Sequence, residues 1–131
     1  MKKIIILSVC VGIAALLAIL LFLVILPNSQ YEQVRTMEIN NVDLMRLEDG
    51  IYHGDYTYGK TNYQVDVQIM GHQITGVEII SGGTGEYAKS AEGVTAAIID
   101  EQRINVDVVS GATTSSKAIM KAVENALSGT N

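Results

Sequence analysis

The chain has 131 residues, 48% of them apolar, with nine Lys and Arg, 14 Asp and Glu and a single cysteine. An apolar N-terminal stretch leaves roughly 100 residues for a core, which is the size of one compact domain. That part carries seven basic residues against 14 acidic ones, a net of about −7, and so lacks the basic face that nucleic acid rewards; one cysteine excludes both a disulfide framework and a thiolate metal site.

From Ile4 to Leu26 the chain runs 23 residues without a charge, and a helix of that length reaches about 34 Å, enough to cross the hydrocarbon layer. The run ends in Phe22-Leu23-Val24-Ile25-Leu26-Pro27, bulky residues in place of a small-x-small cleavage site, so the segment reads as a retained transmembrane anchor. Leu7-Ser8-Val9-Cys10 does not read as a lipoprotein site, because the apolar run continues well beyond Cys10, which reads as apolar filler. Lys2 and Lys3 precede the span, and no Lys or Arg follows it until Arg35, which sets the N-terminus in the cytoplasm and the domain outside a cell membrane crossed once. The chain is thus divided into a cytoplasmic stub and anchor (1–26), a tether (27–48) and a domain (49–131). Within the tether a short helix and an edge strand both stay open.

Between Ile51 and Ser81 the pattern has period two. Tyr52, Gly54, Tyr56 and Tyr58 share one face; Tyr63, Val65, Val67 and Ile69 alternate with Asn62, Gln64, Asp66 and Gln68. Reversals at Gly59-Lys60 and Gly71-His72-Gln73 make three strands, the last over Ile74 to Ile80, into an antiparallel meander. His53 and His72 have no second His or Cys at ligand spacing and read as strand and turn residues, with no metal site expected. A Gly82-Gly83-Thr84-Gly85 loop then leads to a helix near Tyr87 to Asp100, with Tyr87, Ala91, Val94 and Ile98 on one side. A second helix follows, on which Ala118, Ile119, Ala122, Val123, Ala126 and Leu127 form a stripe, and Gly129 stands where it would stop. Three strands and two helices define an α+β fold. No G-x-x-x-x-G-K-[ST], G-x-G-x-x-G or G-x-S-x-G motif is present, so the glycine loop reads as a plain connection and hydrolysis is not indicated.

Before the second helix stands Asp107-Val108-Val109-Ser110-Gly111-Ala112-Thr113-Thr114-Ser115-Ser116. In its plainest reading this is a capping segment, in which the hydroxyls of Thr113 to Ser116 accept hydrogen bonds from the free amides of the first turn. Capping does not call for Gly111 and Ala112. Two small residues in a row let a bulky group approach the backbone where helix amides and the helix dipole favour an anion, and a phosphate suits the spot.

D-x-x-S-G-A-T followed by a hydroxyl residue and an Ala-rich helix resembles the FMN-binding domain family of the outward-facing subunits of sodium-pumping NADH:quinone reductases and Rnf-type complexes. The resemblance extends over Asp49 to Ser128: Asp49-Gly50-Ile51-Tyr52 with Gly54 is similar to the opening strand, Val65 to Ile80 to the hairpin, and Asp107 to Thr113 to the flavinylation motif. It implies FMN held on Thr113 as a phosphoester, Ser110, Gly111 and Ala112 around the phosphate, and Asp107 as the acidic residue recognised by a separate flavin transferase that uses FAD and Mg²⁺. It also implies an electron carrier and not a complete enzyme, with no catalytic residue of its own, exchanging electrons with donor and acceptor proteins. A noncovalent ligand-binding module and a structural cell-surface protein are the alternatives. The tyrosine stripe then has two readings, core or sheet surface and a platform for the flavin. The chain has Gly83-Thr84-Gly85-Glu86 where many relatives have Glu-Thr-Pro-Gly.

Overall fold

The computed structural model describes residues 1–83 and 85–129, with only the backbone of 26–30, 86–88, 90 and 91. It comprises two units, Met1–Gln33 and Val34–Asn131. The first unit is made by helix α1 (Lys2–Thr36) up to Gln33, and its stretch Lys2–Ile25 is long and apolar enough to cross a membrane. Leu, Ile and Val side chains stand exposed along this stretch, from Ile4 to Ile25, with none of it buried, so its apolar surface is on every side and not in one stripe. In the 27–48 stretch α1 continues to Thr36, and a 3-10 turn covers Leu44–Arg46. Among the described residues that stretch holds helix and no strand.

The second unit is α+β, as its periodicities require. Strands β1 (Gly50–Tyr58), β2 (Thr61–Met70) and β3 (Gln73–Ser81) pair antiparallel in the order β1-β2-β3 and are followed by α2 (Glu86–Glu101) and α3 (Thr113–Ser128). Tyr63, Val65, Val67 and Ile69 are buried while Gln64 and Gln68 are exposed, which is the alternation of a sheet with one face in the core. At the second reversal Gly71 (φ 59°) and His72 (φ 60°) both adopt the left-handed conformation that a type I′ hairpin demands. On β3, Ile74 and Val77 are three residues apart and would face opposite sides of a regular strand. The register shifts between Gln68 and Ile69, so that Ile74 pairs with Ile69 and Val77 with Val67, and both meet the core.

Both helices pack on the same face of the sheet, α3 over β1 and β2, α2 over β3 and against α3. The approach is tight at Gly54, where a Cβ would lie 2.2 Å from the Ala122 carbonyl oxygen and 2.5 Å from the Ala126 nitrogen. Alanine on the facing side of α3 and glycine on β1 are what permit it. Val94 and Ile98 of α2 are fully buried, as are Ala118, Ala122 and Val123 of α3; the side chains of Tyr87 and Ala91, expected on the same side of α2, lie outside the described residues. Residues 37–41 also belong to this unit. Ile39 is in the core, Lys117 Nζ donates to the Met37 carbonyl (3.1 Å), and Asn40 donates through its backbone N–H (3.2 Å) and Nδ2 (3.3 Å) to the buried Glu124, which pairs with Lys121 (3.0 Å). Asn41 Oδ1 accepts the N–H groups of Ile104 and Asn105, both at 2.9 Å.

Candidate functional site

Ile104 and Val106 are buried and hold the α2–α3 connection to the core, after which Asp107 and Val108 are exposed. The chain then reverses at Val109–Ala112. The Ala112 N–H donates to the Val109 carbonyl at 2.9 Å, and Gly111 has φ 81°, the value that a type II turn requires at its third position and that glycine adopts without strain. Ala112 is buried as the residue capping α3, with no side-chain bond to the first turn. Thr113 follows as the first helical residue, half-buried, while Ser110 and Gly111 are exposed.

Among the described residues, none of the hydroxyls from Thr113 to Ser116 caps the first turn of α3 as the sequence suggests. Ser116 is fully buried and its Oγ accepts the N–H of Val109 at 3.2 Å; the Ser115 hydroxyl lies 3.4 Å from that of Tyr63. Ser116 N–H donates to the Ala112 carbonyl (2.8 Å), so helical bonding begins there. Among the described residues, the amides of Thr113, Thr114 and Ser115 have no backbone acceptor, and the positive end of the α3 dipole is open beside the turn. Ser110, Gly111, Ala112 and Thr113 are thereby brought to one small-residue turn. Asp107 stands three residues before it, in the solvent.

Tyr63 connects this turn to a cleft. Its hydroxyl reaches Ser115, and a Cβ at Gly82 would stand 2.9 Å from its ring, so Gly82 must stay small. Gly82 lines a surface cleft of about 920 Å³, together with Lys60 from the β1–β2 reversal, Asn62 from β2, Ile79 from β3, and Lys89 and Glu92 from α2. That volume is within the roughly 300–1,000 Å³ typical of small-molecule sites. Sequence reasoning missed the cleft and its two lysines, since it is assembled from elements far apart in the chain. The one available signal was Tyr63, a tyrosine on a buried stripe whose hydroxyl needs a partner. Tyr52, Tyr56 and Tyr58 pack against the core, and Tyr52 donates to the Glu48 carbonyl at 2.9 Å. His53 Nδ1 pairs with Asp66 Oδ1 (2.5 Å) on the exposed sheet face, and His72 Nδ1 lies 3.1 Å from the Leu47 carbonyl, so both serve as strand and turn residues.

Residues 58–128 match the model of the FMN-binding domain family. An uncharacterized protein of Treponema pallidum (strain Nichols) is 37% identical over 83 residues, which are 62% of this chain and 23% of that protein, so the similarity spans under a quarter of the relative's length. The family match runs from the end of β1 through the whole of α3, more than half of the chain, and the small-residue turn at the open helix N-terminus of α3 fits a phosphate, with Tyr63 standing between that helix end and a ligand-sized cleft. The chain therefore belongs to the FMN-binding domain family, and FMN is its cofactor.

Proposed function

We propose that the chain is a membrane-anchored, extracytoplasmic electron carrier whose FMN is joined by a phosphoester to Thr113. The observation that carries this reading is the position of Thr113, the first residue of α3, directly after a turn built from Ser110, Gly111 and Ala112 in the motif D-x-x-S-G-A-T. The open amides of the first turn and the dipole behind them would hold the phosphate, and Gly111 and Ala112 leave room for it. Isoalloxazine supplies the electron transfer when bound. The cleft along Ile79 and Gly82 would shelter one side of the ring, with Lys60 and Lys89 outweighing the carboxylate of Glu92 to leave positive charge near it. Asp107 is exposed, as recognition by a separate flavin transferase needs. The apolar length of Lys2–Ile25 and the charges of Lys2 and Lys3 support anchoring with the domain outside. Proteins that donate and accept electrons complete the system, and this chain is a carrier within it.

The test is coexpression of the full chain with an active flavin transferase. The wild type is expected to fluoresce as a flavin in a denaturing gel and to gain the mass of FMN less one water on the peptide that contains Thr113, and Thr113→Ala is expected to lose both signals while remaining folded. Flavin that co-purifies with the native chain but is released on denaturation would replace the phosphoester with a noncovalent site.

A further inference from the structure

We infer that Ser116 is a positioning residue for the flavinylation of Thr113, its buried hydroxyl holding the Val109–Ala112 turn in the shape from which Thr113 is presented to the transferase. The inference rests on Thr113 being the flavin-bearing residue. Three hydrogen bonds close a ring through the motif. The Val109 N–H donates to Ser116 Oγ at 3.2 Å, the Ala112 N–H donates to the Val109 carbonyl at 2.9 Å, and the Ser116 N–H donates to the Ala112 carbonyl at 2.8 Å. Ser116 thus grips the turn at both ends, with Ser110 and Gly111 inside the ring and Thr113 on the segment that leads back to Ser116.

Burial decides what kind of role this is. Ser116 is 0% exposed, so its hydroxyl meets neither a phosphate nor a second protein and acts only through the backbone that it holds. The neighbouring hydroxyls do not share the task, since Ser115 points to Tyr63. Without the Ser116 oxygen, the partly buried Val109 N–H loses its acceptor, and the Val109 end of a turn that contains Gly111, the residue with the widest choice of conformations, is left with the Ala112–Val109 bond alone while the Ala112 end keeps its bond from the Ser116 N–H. In the step so prepared, Thr113 Oγ1 forms a bond to the flavin-side phosphorus of FAD, the bond from that phosphorus to the bridging oxygen breaks, and AMP leaves with the oxygen. The threonine proton passes to a base of the transferase, and no electrons are exchanged. Such an attack depends on alignment: a misplacement of about 1 Å can cost on the order of a hundredfold in rate.

The experiment measures flavin incorporation into Thr113 of the full chain, with purified transferase, FAD and Mg²⁺, as maximal rate and as the chain concentration at half-maximal rate, beside thermal unfolding and hydrogen exchange at Val109. Ser116→Ala is expected to lower the maximal rate roughly ten- to a hundredfold and to speed Val109 exchange, with an unfolding transition still cooperative. Ser116→Thr and Ser116→Val provide the discriminating pair, because they share a shape and differ in the hydroxyl. Incorporation within about threefold of wild type, roughly 0.65 kcal/mol by RT ln 3, is expected for Thr, and slow incorporation for Val. Wild-type rates in Ser116→Ala, or equal rates in the folded Thr and Val variants, would overturn the inference while leaving Thr113 as the attachment point. Wild-type chain that takes no label at Thr113 would overturn both.

Discussion

The hydroxyl of Tyr63, near the start of β2, lies 3.4 Å from that of Ser115 in the first turn of α3, so the sheet touches the helix end at the residue next but one to Thr113. Tyr63 is also the ring against which Gly82 packs at the rim of the cleft. One side chain therefore spans from the first turn of α3 to the rim of the cleft. Tyr63→Phe removes the hydroxyl and keeps the ring, so it should cost about 0.5–1.5 kcal/mol in denaturant unfolding and leave incorporation of flavin intact. Gly82→Val drives a branched side chain into the Tyr63 ring and should alter the absorption spectrum of the bound flavin without removing the label; a spectrum identical to wild type would show that the ring lies elsewhere.

The turn itself gives a second prediction. At Gly111 φ is 81°, and a Cβ there meets nothing within 4 Å, so substitution is opposed by the backbone and not by crowding. Gly111→Ala should destabilise the domain by about 1–2 kcal/mol and reduce labelling of Thr113, whereas Thr114→Ala, one place beyond the motif, should be labelled as wild type. Labelling lost in Thr114→Ala and retained in Thr113→Ala would move the attachment point by one residue.

Gly54 sets the seat of α3 on β1. Its substitution by Ala places a methyl group where the Ala122 carbonyl and the Ala126 backbone stand, and overpacking of this kind costs about 1–3 kcal/mol or more. Gly50→Ala is the control, because nothing lies within 4 Å and φ is ordinary, and it should stay within about 0.5 kcal/mol of wild type. Equilibrium unfolding in urea distinguishes the two.

Residues 37–41 belong to the folded unit, which predicts different behaviour for two soluble fragments. A fragment from Asp49 loses the buried Ile39, about 1.5–3 kcal/mol, and leaves Glu124 without its Asn40 donors, about 1–3 kcal/mol more. A fragment from Val34 keeps both. The shorter should unfold at a clearly lower temperature in calorimetry, and equal midpoints would deny these contacts any weight.

Topology is checked in intact cells. With Lys2–Ile25 as the anchor, the chain should stay in membranes washed at high salt, and protease added outside should remove the domain. A mature chain that begins after Pro27 would make the apolar helix a removed signal.

What the sequence determined by itself is what local chemistry encodes. Alternation over Asn62 to Ile69 can bury one face only as a strand, the stripe from Ala118 to Leu127 can do so only as a helix, and Gly71 supplies the left-handed conformation of its reversal; the apolar length of α1 and the order Asp107 to Thr113 are likewise legible as written. The tertiary structure decided the rest. It shifted the β2–β3 register so that Ile74 and Val77 share a face, seated α3 on Gly54, bound Asn40 to a Glu124 lying 84 residues away, brought Tyr63 to Ser115, and gave the Ser116 hydroxyl to Val109 and not to its own helix. Each of these joins groups distant in sequence or chooses among acceptors that a local pattern offers equally, and only the packing of the sheet against α3 selects between them.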